Sequence, residues 1–282
     1  MKQNYQLSEE QKKQFHEDGY LIIPDILDPE DCKQLLTRAH ELLEELNPEK
    51  EPVFRFLAKN NDEKYFLESG DKIRYFYEKD AFDESGKLAV DKTKAVNKIG
   101  HALHELDPAF RKVSLNSTIS NIARGVGMKE PRVLQSMLIF KQPRIGGVVP
   151  PHQDSTFLYT EPLSATGFWF ALEDCTTTNG CLEFIPGSHK TTPITRRMKR
   201  DKEGTRTFIE GQDGEVDESR FVAGEVKAGT LVLIHGSVVH RSKHNYSDKS
   251  RYIYTFHCID GTADYSEDNW LQPTKEMPFS AI

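Results

Sequence analysis

The chain has 282 residues, with 37 Lys and Arg against 44 Asp and Glu, a formal charge of −7. That balance excludes a sequence-independent nucleic-acid binder, which needs a basic footprint, and no stretch approaches the ~18 consecutive apolar residues of a membrane helix. Hydrophobic residues make up 37%, but 16 Phe, 10 Tyr and 2 Trp supply large burial per residue, which excludes disorder and supports a packed core.

The first six residues, Met1-Lys2-Gln3-Asn4-Tyr5-Gln6, contain no apolar signal segment. Ser8-Glu9-Glu10-Gln11 reads as a capping box and Gly19 as a left-handed stop, which predicts a short helix; Tyr20-Leu21-Ile22-Ile23 then reads as a strand. Asp28 before Pro29 is an N-cap followed by a first-turn proline. Cys32, Leu35, Leu36, Ala39, Leu42, Leu43 and Leu46 recur behind it at helical spacing. Between 95 and 127 the apolar positions from Val96 to Val126 predict two or three more helices broken near Pro108, with His101 and His104 one turn apart on the first.

After Pro131 the texture changes. Residues 132–140, 167–172, 181–185, 230–234, 238–241 and 251–259 are short β-branched or aromatic runs between Gly, Pro, Asn and Asp. Irregularly spaced short strands indicate a sandwich or jelly roll rather than βαβ units. The expected organisation is one domain over 1–282: mostly helical support in 1–130, a β core in 131–260 and an extension in 261–282. Residues 196–219, dense in charge of both signs, read as a long surface loop or lid. Their basic run Arg196-Arg197-Met198-Lys199-Arg200 fits a solvated loop, a docking patch for an anionic substrate such as an acyl-CoA, or a localisation signal. Cys32, Cys175, Cys181 and Cys258 include no CxxC pair and read as reduced thiols, and the final Ser280-Ala281-Ile282 is not a Ser-Lys-Leu address. A cytoplasmic protein with neither a membrane nor a nucleic-acid partner is expected.

His152-Gln153-Asp154 carries the chemistry. In an extended segment residues i and i+2 share a face, so the His152 imidazole and the Asp154 carboxylate converge. His240, behind the apolar run Leu231-Val232-Leu233-Ile234, supplies a second imidazole; His235, next to Gly236, and His189 in Pro186-Gly187-Ser188-His189 read as structural. Two imidazoles and a carboxylate on a β scaffold fit the facial triad of non-haem Fe(II) oxygenases. If Asn245–Asp248 turn a hairpin, Arg251 starts the strand beside His240. Arg251, Ile253, Thr255 and His257 then share the barrel-lining face, with Tyr252, Tyr254 and Phe256 on the other. A buried guanidinium needs an anion, and 2-oxoglutarate, chelating the metal at one end and meeting Arg251 at the other, has the right shape.

The chain resembles the phytanoyl-CoA dioxygenase family. The resemblance rests on Gly70-Asp71-Lys72-Ile73-Arg74, Asn97-Lys98-Ile99-Gly100-His101-Ala102-Leu103-His104, Gln135-Ser136-Met137, Phe140-Lys141-Gln142-Pro143, Pro151-His152-Gln153-Asp154, Phe157-Leu158-Tyr159-Thr160-Glu161-Pro162, Asn179-Gly180-Cys181-Leu182, Ile185-Pro186-Gly187-Ser188-His189, Val232-Leu233-Ile234-His235-Gly236 and Asn269-Trp270-Leu271-Gln272-Pro273. It implies a mainly β, double-stranded β-helix (jelly-roll, cupin-like) with N-terminal and intervening helices packed on it. Fe(II) would be held by His152, Asp154 and His240, and 2-oxoglutarate contacted by Lys98, Met137, Gln153, Trp169, Ser242 and Arg251. The implied activity is an Fe(II)/2-oxoglutarate dioxygenase that uses O2, with ascorbate as reductant. It hydroxylates a small organic substrate, such as an acyl-CoA, and releases succinate and CO2. Two other readings stay open: a catalytically silent 2-oxoglutarate or acyl-CoA sensor, and a zinc hydrolase, which leaves Arg251 unexplained.

Overall fold

The computed structural model describes residues 1–50, 52–55 and 63–282. Helix α1 (Glu9–Asp18) starts at the Ser8 capping box, in which Gln11 N–H donates to Ser8 Oγ and Ser8 N–H to Gln11 Oε1, and it ends at Gly19, φ 80°. Strand β1 (Tyr20–Ile23) follows, then α2 (Pro29–Glu45), capped by Asp28 Oδ1 accepting from Asp31 N–H at 2.8 Å. Next come α3 (Glu63–Leu67), β2 (Ile73–Tyr77), β3 (Val96–His101), α4 (Leu103–Leu106), α5 (Pro108–Ser114) and α6 (Ser117–Gly125). The helical expectation for 95–127 therefore fails at its start. Residues 96–101 pair on both sides, with β2 and with β4 (Pro131–Lys141). With apolar cover on one face and the site on the other, their apolar spacing loses the simple alternation of a strand. His101 lies in β3 and His104 in α4, so they do not share a helix face.

The remaining elements are β5 (Val149–His152), β6 (Thr160–Glu161), β7 (Thr166–Ala171), β8 (Leu182–Phe184), α7 (Ser188–Thr191), β9 (Arg196–Arg200), β10 (Thr207–Gly211), β11 (Val222–Gly224), β12 (Leu231–His235), β13 (His240–Ser242), β14 (Arg251–Asp260), β15 (Asp264–Tyr265) and β16 (Ser280–Ala281). An eight-stranded antiparallel sheet runs β1-β12-β7-β14-β4-β3-β2, with β16 also on β4; a four-stranded sheet runs β11-β8-β13-β5. Strands from before residue 131 and after 260 thus complete the large sheet. Together the two sheets make a double-stranded β-helix with helices on its outer face. Residues 196–219 are not a structureless loop: β9 and β10 form a hairpin, closed at Asp201, whose carboxylate accepts from Thr205 N–H at 2.7 Å. Charged side chains on both strand faces hid it from the apolar pattern.

Alternation along the large sheet separates two cores. Leu231 and Leu233, Phe168 and Phe170, and Tyr252, Tyr254 and Phe256 face the helices, where they meet Phe15, Leu35, Leu42, Phe110 and Ile122. Val232 and Ile234, Trp169 and Ala171, and Ile253 face the small sheet and meet Leu182, Phe184 and Val238. Each fully buried side chain of this kind contributes about 1.5–3 kcal/mol. The Tyr254 hydroxyl, 2.6 Å from Ser114 Oγ, keeps a polar partner as it ties α5 to the sheet. Among the described residues no helix is long and apolar enough to cross a membrane, and all four cysteines are buried free thiols.

Burial also neutralises histidines away from the small sheet. His104, with Nδ1 2.9 Å from Ser136 Oγ, is lowered from the ordinary 6.5 to about 4 by burial and then by Arg111. His235 is lowered to about 4 by burial and then by His189 and His16. The unfolded chain binds these protons near pH 6.5 and the folded chain only near 4, so stability falls as pH drops through that window and is unaffected above it. The urea midpoint of a variant with His104→Asn and His235→Asn should fall less steeply there than that of the wild type. An identical slope would remove both residues from the acid transition.

Candidate metal centre

Strand β5 is the edge of the small sheet, a position that tolerates the missing N–H groups of Pro150 and Pro151. Its last residue, His152, pairs directly with His240 of β13, so both imidazoles project from one face with centroids 4.2 Å apart. His152 Nδ1 lies 2.9 Å from the Pro150 carbonyl and His240 Nδ1 lies 3.1 Å from that of Val238. Each Nδ1 is therefore placed to donate to a backbone carbonyl, which turns each Nε2 toward Asp154. After β5 the chain turns through a 3-10 segment, Asp154–Thr156, anchored by Ser155 N–H donating to the Gly236 carbonyl at 2.8 Å. Asp154 Oδ1 sits 3.6 Å from both Nε2 atoms. One ligand atom from each residue fits within 4.8 Å of the others, a donor set suited to a divalent transition metal.

The electrostatics favour binding. Burial would raise the Asp154 carboxyl, but His240, His257 and His152 outweigh it and hold the group well below the carboxylate range. His152 is lowered to about 4 by burial and by His240, with Asp154 opposing. At neutral pH the pocket thus holds an ionised carboxylate beside an unprotonated His152.

His257 joins the site although the sequence motifs do not single it out. Its Nε2 is 3.1 Å from Asp154 Oδ2 and its Nδ1 is 2.8 Å from Gln135 Nε2. With Gln135 donating to Nδ1, Nε2–H donates to the carboxylate. A Cβ at Gly167 would stand 3.4 Å from both of those His257 and Asp154 atoms, so the glycine leaves them room. The signal was available: His257 lies six residues beyond Arg251 on the same strand face.

Arg251 is not the cross-strand neighbour of His240. Residues 245–248 carry the chain from one sheet to the other: β13 pairs with β5 and β8, whereas β14 pairs with β4 and β7. The hairpin expectation assumed that a tight turn joins paired strands. Asn245 instead ties this turn to β4, its Nδ2 donating to the Lys141 carbonyl at 2.9 Å. Arg251 is only 2% exposed and reaches across the intersheet gap, Nη2 3.4 Å from Ser242 Oγ, its guanidinium 5.8 Å from the Trp169 ring centroid. Its Nε is buried without a partner. Opposite it on β4, buried Lys141 donates to the Gly147 carbonyl; burial, then Arg251, lowers its ammonium to about 6, with Glu78 opposing.

On the large sheet, Thr255 of β14 pairs with both Met137 and Trp169, and Met137 pairs with Gly100, two residues past Lys98 on β3. Alternation puts Lys98, Met137, Trp169 and Arg251 on the face toward the small sheet. Burial lowers Lys98 to about 8, and its Nζ is 5.1 Å from the Phe76 ring centroid. Gln153 departs from the expectation. Extended backbone, φ −124° and ψ 130°, turns it away from His152 and Asp154, and its amide donates to the carbonyls of Thr192 at 2.9 Å and Ser237 at 2.7 Å.

A His-Asp-His cluster that could hold a metal ion, carried on a double-stranded β-helix, has the donor set found in the non-haem iron oxygenases. The phytanoyl-CoA dioxygenase family model matches residues 15–253, and the chain belongs to that family. It is 46% identical to phytanoyl-CoA dioxygenase domain-containing protein 1 of Bos taurus and 44% identical to that of Danio rerio, each over 98% of both chains. Among solved structures, it resembles the non-heme alpha ketoglutarate dependent carbocyclase SnoK from nogalamycin biosynthesis, with 21% identity and TM-score 0.64 over 97% of this chain and 96% of that one. It also resembles the epimerase SnoN in complex with Fe3+, alpha ketoglutarate and nogalamycin RO, with 16% identity and TM-score 0.64 over 96% and 97%.

Proposed function

We propose that the chain is an Fe(II)- and 2-oxoglutarate-dependent dioxygenase that hydroxylates a small organic substrate. The observation that carries this reading is the pairing of an open three-ligand cluster with a buried arginine, across the sheet gap, whose Nε has no partner. His152, Asp154 and His240 would hold Fe(II) on one side, leaving positions for a bidentate co-substrate and O2. With its co-substrates bound, the iron supplies the oxidising chemistry that releases succinate and CO2. Arg251, assisted by Ser242, takes the distal carboxylate of 2-oxoglutarate. Trp169 and Met137 wall the channel, Lys98 adds positive charge, and Gln153 braces the strand end from behind. The two charges of the iron and the guanidinium charge would offset those of Asp154 and the 2-oxoglutarate dianion. A buried site tolerates charge only when it is so compensated.

His257 acts through Asp154. By engaging Oδ2 it leaves Oδ1 toward the two imidazoles, where Oδ1 would serve as the ligand atom. Replacing such a partner typically costs about 10–100-fold in metal affinity. His257→Leu should lower the affinity for Co(II), measured by chelator competition, within that range. An unchanged affinity would leave His257 with a packing role only. The reading as a whole is tested by iron-dependent succinate formation from 2-oxoglutarate. Tight binding of both without turnover, under every substrate tried, would favour a sensor.

A further inference from the structure

Within the basic run of β9, Arg196 is paired with Asp213, and Lys199 with Glu210 at 2.7 Å and Asp268 at 3.3 Å. Arg197 has no ion-pair partner among the described residues. Its guanidinium lies over the Tyr159 ring, 4.0 Å from the centroid, and its Nε and Nη2 are buried without hydrogen-bond partners. These two nitrogens form the side-on edge of the guanidinium, the fork that grips an oxyanion through two parallel N–H bonds. The only other arginine with a buried, unpartnered nitrogen among the described residues is Arg251. Strand β9 packs against the Asp154–Thr156 turn, and Tyr159 lies three residues beyond it. The unfilled fork therefore stands beside the segment that carries the candidate metal ligand. Buried guanidinium nitrogens left without a partner are costly unless an anion completes them.

We propose that Arg197 binds the carboxylate of the substrate to be oxidised, so that the substrate is a small monoanionic organic acid. This rests on the oxygenase reading and names its substrate class. One fork matches one carboxylate. Neighbouring Asp213, Glu210 and Asp268 already take up the charges of Arg196 and Lys199. Those two cations are therefore engaged and not open to the several phosphate charges of a CoA ester, so the anionic-substrate expectation for this run narrows to the fork of Arg197 and away from acyl-CoA.

The test loads the protein anaerobically with Fe(II) and 2-oxoglutarate and titrates it calorimetrically with butanoate, octanoate, palmitate, benzoate and phenylacetate. Each acid is run beside its methyl ester and its CoA thioester. At least one free acid should bind about tenfold or more tightly than its ester. Arg197→Gln should lose about tenfold or more of that affinity, and Arg197→Lys, which keeps the charge without the fork, should lose less. The affinity for 2-oxoglutarate, read in the same samples, should shift less than about twofold. The proposal falls if acids bind the Arg197→Gln variant as well as the wild type, if CoA thioesters outbind the acids, or if no acid binds while 2-oxoglutarate does. If 2-oxoglutarate itself does not bind, the oxygenase reading fails first. The Nε–H resonance of Arg197 in metal-free protein, assigned by its loss in Arg197→Lys, then decides separately: movement on adding an acid but not its ester sustains the anion site, and immobility overturns it.

Discussion

Asp154→Ala is expected to abolish iron-dependent succinate formation. Oδ1 is 3.6 Å from both imidazole Nε2 atoms, and the carboxylate is the anionic member of the cluster. Its removal leaves two imidazoles and no countercharge for a divalent cation in a buried pocket. It also strands His257, which loses its Nε2 partner. Since losing an outer partner of a metal ligand alone costs about 10–100-fold in affinity, losing the ligand should cost at least about a hundredfold. The measurement is succinate from 2-oxoglutarate after anaerobic iron loading and exposure to air with ascorbate, beside a thermal melt showing that the variant is folded. Wild-type turnover in Asp154→Ala would refute the metal assignment.

Arg251→Met should act with opposite signs in two assays. In ligand-free protein the guanidinium is buried, one nitrogen lacks a partner, and burial lowers its pKa against weaker support from Cys175, Cys181, Glu173 and Glu78. Replacing such a charge with an apolar side chain of similar length is often neutral or stabilising, so the melting temperature without ligand should hold or rise. The affinity for 2-oxoglutarate should fall by about 2–4 kcal/mol, roughly thirtyfold to a thousandfold, because the distal carboxylate is left buried and unpaired. A variant that melts earlier yet keeps its 2-oxoglutarate affinity would mark Arg251 as structural.

Much of this is legible in the sequence alone. Ser8, Gly19, Asp28 and Pro29 mark helix ends through local chemistry that does not depend on the rest of the fold. His152 and Asp154 converge because a two-residue period is a property of extended backbone. What stayed hidden depended on long-range pairing. Residues 96–101 are a strand only because β2 and β4 flank them. Arg251 belongs to the opposite sheet from His240 because Asn245 ties the turn to β4, 104 residues earlier in the chain. Gln153 sits between two site residues, yet the same alternation that joins them turns it away.

The membership of the two sheets has a mechanical side. His152, His240 and Ser242 belong to the small sheet; Lys98, Met137, Trp169 and Arg251 belong to the large one. Strands β5 and β13 are four and three residues long, and β5 is an edge. Short edge segments with few ladder bonds open first. Metal and 2-oxoglutarate seated between the sheets would act as a clasp on this seam. Amide exchange should therefore slow most at β5 and β13 on loading and little in the middle of β14, making the candidate centre a fastener of the jelly roll as well as its reactive point.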